Sequence, residues 1–184
     1  MTSILDKYNH HQFHYATLTC LIIALLFTLI STFSKCWVTM TTNDYYYGYD
    51  YSTTTGIGLF DTDDDASTPG FWQSVIGFMI TSLVLEIIML IYIILALTRM
   101  QRTFKSHIAN ISISGAIVLF LLLAIIIWAS NISDDAPYIK NTTGITVGIG
   151  WSWGMAIIAI IAAALSVVSS SIGYYKGRQE FLGT

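Results

Sequence analysis

The chain has 184 residues, of which 54% are apolar and only 10% charged, with a formal net charge of −3. A soluble domain carries about a quarter charged residues, so a water-soluble globule is excluded and a single membrane domain covering 1–184 is expected. With two cysteines, Cys20 and Cys36, inside and at the far end of one apolar run, no disulfide framework, zinc site or CxxC redox pair is available.

The first apolar run covers about 15–33, close to the roughly 20 residues that a helix needs to cross a hydrocarbon core about 30 Å thick. Ser34-Lys35-Cys36-Trp37 follows it without a small-x-small cleavage site, so the run is expected to stay as a signal anchor. His10, His11 and His14 precede it at i, i+3 and i+4 spacing and read as a juxtamembrane cap rather than metal ligands. Within it, Ala24, Thr28 and Thr32 recur every four residues, the spacing that lets helix backbones approach in lipid.

An outer segment of about 36–70 comes next. Trp37-Val38-Thr39-Met40 and Gly56-Ile57-Gly58-Leu59-Phe60 predict short strands, with branched and aromatic residues set off by glycine. Between them lie Tyr45, Tyr46, Tyr47, Tyr49 and Tyr51. Rigid rings with polar tips suit a contact surface, and Trp37, Gly58, Leu59 and Phe60 are grouped with them. Asp61, Asp63, Asp64 and Asp65 add an acidic edge. It resembles the start of a calcium loop, but Ala66 and Trp72 stand where an EF-hand needs Gly and Glu, so a solvated acidic surface is the expectation.

The second span covers about 71–97 and offers Gly77 and Thr81 as small residues. It also holds Glu86, the only acid inside a span. An ionisable group there marks a functional candidate with a partner, and three readings stand: a protonated acid bonded to a Ser or Thr of a neighbouring helix, a role in ion passage, or a cation supplied by a partner subunit. A short basic turn, 98–107, leads to the third span at about 108–129. The second outer segment, about 130–146, contains Tyr138-Ile139-Lys140 and Gly144-Ile145-Thr146-Val147, either of which could supply an edge strand. The fourth span, about 147–172, carries Ala159, Ala162, Ala163, Ser166 and Ser170 at helix-packing spacing. That seam predicts that Ala162→Leu or Ser166→Leu disrupts assembly without affecting insertion. Phe71, Trp72, Trp128, Trp151 and Trp153, with Trp37, read as an interfacial aromatic belt.

Lys7, Arg99, Arg102, Lys105, Lys176 and Arg178 fall on one side of the four spans, leaving Lys35 and Lys140 on the other with eight aspartates. The positive-inside rule therefore places both termini and the 98–107 turn in the cytoplasm. No histidine lies mid-span, as a bundle-held haem would require, and no GxSxG, HExxH or Walker sequence occurs. An enzyme is not expected, nor are a cofactor, a metal, nucleic acid or a small-molecule substrate. Sequons stand at Asn110, Asn131 and Asn141, and the topology leaves Asn141 as the best acceptor.

In layout the chain resembles the claudin superfamily, which includes peripheral myelin protein relatives and calcium channel gamma subunits. Trp37 is similar to the tryptophan of the family's first outer segment, Gly58-Leu59-Phe60 resembles its Gly-Leu-Trp, and Gly150-Trp151-Ser152-Trp153 resembles the entry to the last helix in the channel-associated branch. The resemblance implies an all-α four-transmembrane-helix bundle with a small extracellular antiparallel β-sheet. The family's first-segment disulfide has no counterpart, so that sheet would be held by packing. An auxiliary subunit of a channel, receptor or larger assembly is the first functional expectation, favoured by the Gly-Trp-Ser match and the unpaired Glu86. A cell–cell adhesion or paracellular barrier protein with a cation-favouring acidic loop is the second. Its tail, Phe181-Leu182-Gly183-Thr184, lacks the terminal hydrophobic residue that scaffold domains bind. Membrane lipid and other membrane proteins, or copies of the chain, are the expected partners, in a multi-pass protein of the plasma membrane.

Overall fold

Long apolar runs without period-two alternation satisfy their backbone internally only as helices, and four such helices dominate the structure. The computed structural model describes residues 4–46, 49–60, 70–98, 104–143 and 145–182, with side-chain detail over 12–42, 52–60, 70–98, 106–131 and 148–179. In chain order the elements are α1 (Ile4–Phe33), β1 (Val38–Tyr46), β2 (Tyr49–Ile57), α2 (Gly70–Thr98), α3 (Phe104–Thr143), β3 (Ile145–Ile149) and α4 (Trp151–Leu182). The portions long and apolar enough to cross a membrane are Gln12–Phe33, Gly70–Thr98, Ser106–Asn131 and Trp151–Gln179.

Each helix packs on two neighbours, α1 on α2 and α4, and α3 on α2 and α4, which closes a four-membered bundle. Leu21, Ala24, Val75, Met79, Met89, Ile93, Ile117, Leu121, Ala124, Ala156, Ala159 and Ala163 form its core. The α1–α4 seam is built from small side chains. Ala159 and Ala163 are buried on α4, and Ala24 on α1, so the backbones approach where larger residues would hold them apart. Hydroxyl bonds pin its two ends: Thr17 to Ser170 at 3.2 Å, and Ser31 to the Ser152 carbonyl at 2.9 Å.

β1 is the central strand of a three-stranded antiparallel sheet of order β2-β1-β3. Its register runs from Val38↔Ile57 to Tyr46↔Tyr49 with β2, and from Val38↔Ile149 to Thr42↔Ile145 with β3. Val38 and Met40 turn toward the core, while Thr41 meets Thr54 across the strands at 3.1 Å.

Several boundaries differ from the sequence expectation. The second strand is Tyr49–Ile57, not 56–60, because Leu59 must turn inward beneath the sheet. Tyr138-Ile139-Lys140 lies within α3, which continues to Thr143. The helix runs past Pro137, which removes one intrahelical hydrogen bond, and ends before Gly144. The edge strand comes instead from Ile145–Ile149, so the fourth span starts at Trp151 rather than at 147. The branched residues that extend the apolar run there are paired to β1.

Candidate interaction site

The join between the sheet and the bundle centres on Trp37. Trp37 stands just past the C-terminus of α1, where the last carbonyls of a helix lack intrahelical partners. Its indole Nε1 donates to the Ser31 carbonyl at 2.6 Å, which also accepts the Ser34 hydroxyl at 3.2 Å. Its backbone N–H donates to the Ile57 carbonyl at 2.9 Å, and its own carbonyl accepts the Gly150 N–H at 3.0 Å. One residue thereby ties α1, β2 and the entry to α4.

Gly150-Trp151-Ser152 completes the junction. A Cβ on Gly150 would collide with the Cys36 carbonyl, so only glycine lets the chain pass. The Ser152 N–H, an unsatisfied donor of the first turn of α4, reaches the Cys36 carbonyl at 3.2 Å, and the Ser34 hydroxyl donates to the Ser152 hydroxyl at 2.6 Å. Gly56 is tight in the same way against the Lys35 carbonyl.

Beneath the sheet the Trp37 ring meets Trp128 edge-on at 5.1 Å, and Trp128 receives Trp72 at 4.6 Å and Phe71 at 6.1 Å. The Trp72 indole donates to the Leu59 carbonyl at 2.7 Å. Trp37, Leu59 and Trp128 are fully buried, and Gly58 is buried beside them. This corrects two expectations. Trp37, Gly58 and Leu59 are not contact surface, and Trp37 and Trp128 are not belt residues: they plug the join between sheet and helices, where burial of large rings stabilises most. Phe60 remains 47% exposed and stacks on Phe33 at 5.7 Å, and Trp151 is half exposed.

The tyrosine run falls at the end of the hairpin farthest from Trp37. Tyr45 and Tyr46 are in β1 and pair with Asp50 and Tyr49 of β2, while Tyr51 opposes Asp44. Tyr47, Asp61, Asp63, Asp64 and Asp65 lie outside the described residues. Asn141 belongs to the last turn of α3.

The α4 stripe faces inward. Ala159, Ala163, Ser166 and Ser170 are fully buried and Ala162 nearly so, with the Ser166 hydroxyl donating to Ser114 at 2.8 Å. It therefore packs this chain's own bundle. Ala162→Leu and Ser166→Leu would damage the fold itself, not an association with another protein, contrary to the sequence expectation. Gly77 and Thr81 of α2 face outward instead, continuing a stripe of Gly70 and Ser74 that is exposed along its length. A Cβ on Gly77 would meet nothing within 4 Å. The hydroxyls of Ser74 and Thr81 fold back to the Gly70 and Gly77 carbonyls at 3.1 and 2.7 Å, leaving a smooth face.

Glu86 points into the bundle, 0% exposed, and accepts the Thr28 hydroxyl at 2.9 Å. Its partner is a neighbouring-helix threonine, and its burial keeps any cation on another subunit out of reach. His14 stacks on His107 of α3 at 4.2 Å, and the side chains of His10 and His11 lie outside the described residues. No group of three or more metal-ligating side chains occurs among the described residues.

The family described as "Tight junction protein, Claudin-like" matches residues 10–181. The chain belongs to the claudin-like family. No curated protein matches it. Family membership and the four apolar helices make it a multi-pass membrane protein whose role is structural. Sequence reasoning missed Ser31 and the roles of Ser34 and Ser152 at the junction, whose signals were only hydroxyls near the ends of spans, and it marked Thr28 as a packing residue without pairing it to Glu86. The inward turn of Trp37 had no local signal at all.

Proposed function

We propose that this claudin-like chain is a non-enzymatic interaction protein that associates laterally within the membrane, as an auxiliary subunit of a channel, receptor or larger assembly. The observation that carries this reading is the exposed stripe Gly70, Ser74, Gly77 and Thr81 on α2. In lipid, helices associate through small residues that allow close approach, and these are turned away from the chain's own bundle. In this reading both termini and the 98–107 turn face the cytoplasm of a cell bounded by the plasma membrane, and the sheet stands outside.

Adhesion between cells is the second reading. It is favoured by the β2 strand, whose far side pairs with no other strand among the described residues, by the exposed run from Ser52 to Thr55, and by the tight-junction description of the family. Tyr45, Tyr46, Tyr47, Tyr49 and Tyr51 would then make the contacts, and Asp61, Asp63, Asp64 and Asp65 would favour cations in any passage they line.

Purification in mild detergent separates the two. Recovery of a larger membrane protein in fixed stoichiometry, lost in Gly77→Leu while the monomer stays folded, supports the auxiliary role. Recovery of self-associated chains that cluster at cell contacts, with Gly77→Leu behaving as wild type, supports adhesion and removes the first reading.

A further inference from the structure

Glu86 uses only half of its acceptor capacity. Oε1 takes the Thr28 hydroxyl, while Oε2 meets no donor although the residue is fully enclosed. A carboxylate left this way inside a bundle is costly, because the one bond from Thr28 compensates its charge only in part. Among the residues whose side chains are described, the helices carry no other titratable residue between the level of His107 and the sheet than Cys20 on α1 and Tyr92 on α2; farther toward the termini stand His14 and Tyr15 on α1, His107 on α3, and Tyr174, Tyr175, Lys176 and Arg178 on α4.

The two ends of the bundle treat this acid differently. Toward the sheet, Ser82 donates to the Phe78 and Met79 carbonyls, Thr32 to Thr28 and Ser31 to Ser152, so these protons are fixed on main chain. Above them Trp37, Leu59 and Trp128 close the bundle. Toward the termini, side chains bond to one another. Ser166 donates to Ser114, and Ser114 reaches the Met89 sulfur at 3.0 Å, one turn from Glu86 on α2. One turn below Ser114 on α3, the amide oxygen of Asn110 is buried with no donor. Polar groups thus recur at steps of about one helical turn, roughly 5.4 Å, between Glu86 and the end that bears the termini. Buried acceptors without protein donors are seats for internal water.

We propose that Glu86 is a proton-binding site of the bundle interior, loaded from the end that carries the termini by way of Asn110 and the Ser114–Ser166 pair. Hydronium at that end gives up one O–H bond and is left as water, one O–H bond forms on the carboxyl group, and its charge goes from −1 to zero. The sheet end takes no part in the exchange. The inference stands apart from whether the protein docks on a partner or joins cells.

Infrared spectroscopy of the full chain in lipid nanodiscs at neutral pH tests it. A carboxylic acid C=O band is expected in the wild type and its loss in Glu86→Gln, with the band shifting to lower frequency when H₂O is replaced by D₂O. Asn110→Leu should slow that shift while keeping the band. Absence of the band in the wild type would mean an ionised carboxylate and overturn the site. A band that never shifts in D₂O would make Glu86 a sealed structural acid. Exchange in Asn110→Leu as fast as in wild type would overturn the route. Should Glu86→Gln fail to fold, the wild-type exchange and the Asn110→Leu comparison still decide.

Discussion

At Gly150 the missing side chain is what lets the loop after α1, the sheet and α4 meet, since a Cβ there runs into the Cys36 carbonyl. Gly150→Ala is therefore expected to lower stability by about 1–3 kcal/mol, the usual cost of forcing atoms into a packed site. Gly154, one turn along α4, has open space around it; Gly154→Ala should be neutral or stabilising by up to about 1 kcal/mol through helix propensity. Thermal unfolding of both variants in detergent, followed by tryptophan fluorescence, checks the contrast, and equal losses would show that Gly150 is not a steric junction. The motif around Gly150 was legible as a resemblance, but its reason was not. The contact it makes is with residue 36, far away in sequence, and nothing local announces it. Trp37 is a similar case. A tryptophan at the end of an apolar run reads equally well as an interfacial anchor, and only the edge-on contact with Trp128 decides that it is interior.

Among elements, the small-residue spacing showed which positions share a face but not which neighbour that face meets. The α4 stripe and the α2 stripe look alike in the sequence, yet one is buried against α1 and α3 and the other is bare. The difference arises because side-chain periodicity fixes a helix face, whereas its direction depends on how all four helices close. Consequently Ser166→Leu should abolish monodisperse recovery of the chain alone, since it both overfills the seam and removes the bond to Ser114. Gly77→Leu should leave recovery unchanged. At the Thr17–Ser170 contact, a double-mutant cycle with Thr17→Val and Ser170→Ala is expected to give a coupling of about 0.6 kcal/mol, the average for such bonds within membranes. Coupling indistinguishable from zero would mean that packing alone holds that end. The strands were legible in part. Residues 37–40 and 56–57 carry the right chemistry, but the pairing of the Tyr45 and Tyr49 region into a hairpin depends on a register that alternation in a half-polar segment specifies weakly.

For the whole molecule, four spans could be read because length and hydropathy are local sums, whereas single strands could be read from residue chemistry and their assembly into one sheet only through a family pattern. The proposed orientation rests on the asymmetry of Lys and Arg along the sequence, and it has consequences on both faces. With the sheet outside, Asn141, ten residues past Asn131 along the projecting part of α3, stands about 15 Å beyond the end of the apolar stretch. Asn141→Gln should then remove a glycosidase-sensitive mass, with Asn110 unmodified. Cysteine labelling tests the same orientation without relying on glycan transfer. In a chain whose own cysteines are replaced by serine, a membrane-impermeant maleimide applied to intact cells should label Ser52→Cys, which sits on the exposed face of β2, and should not label Gln101→Cys in the turn after α2. Permeabilising the cells should make both reactive. Labelling of Gln101→Cys in intact cells, with Ser52→Cys protected, would invert the molecule. The hairpin would then face the cytoplasm, and neither an adhesive contact nor an outer docking surface could be built from it. The basic turn and the aspartate-rich segment cannot both change sides without reversing the charge asymmetry that orients insertion, so this single comparison bears on every surface assigned to the protein.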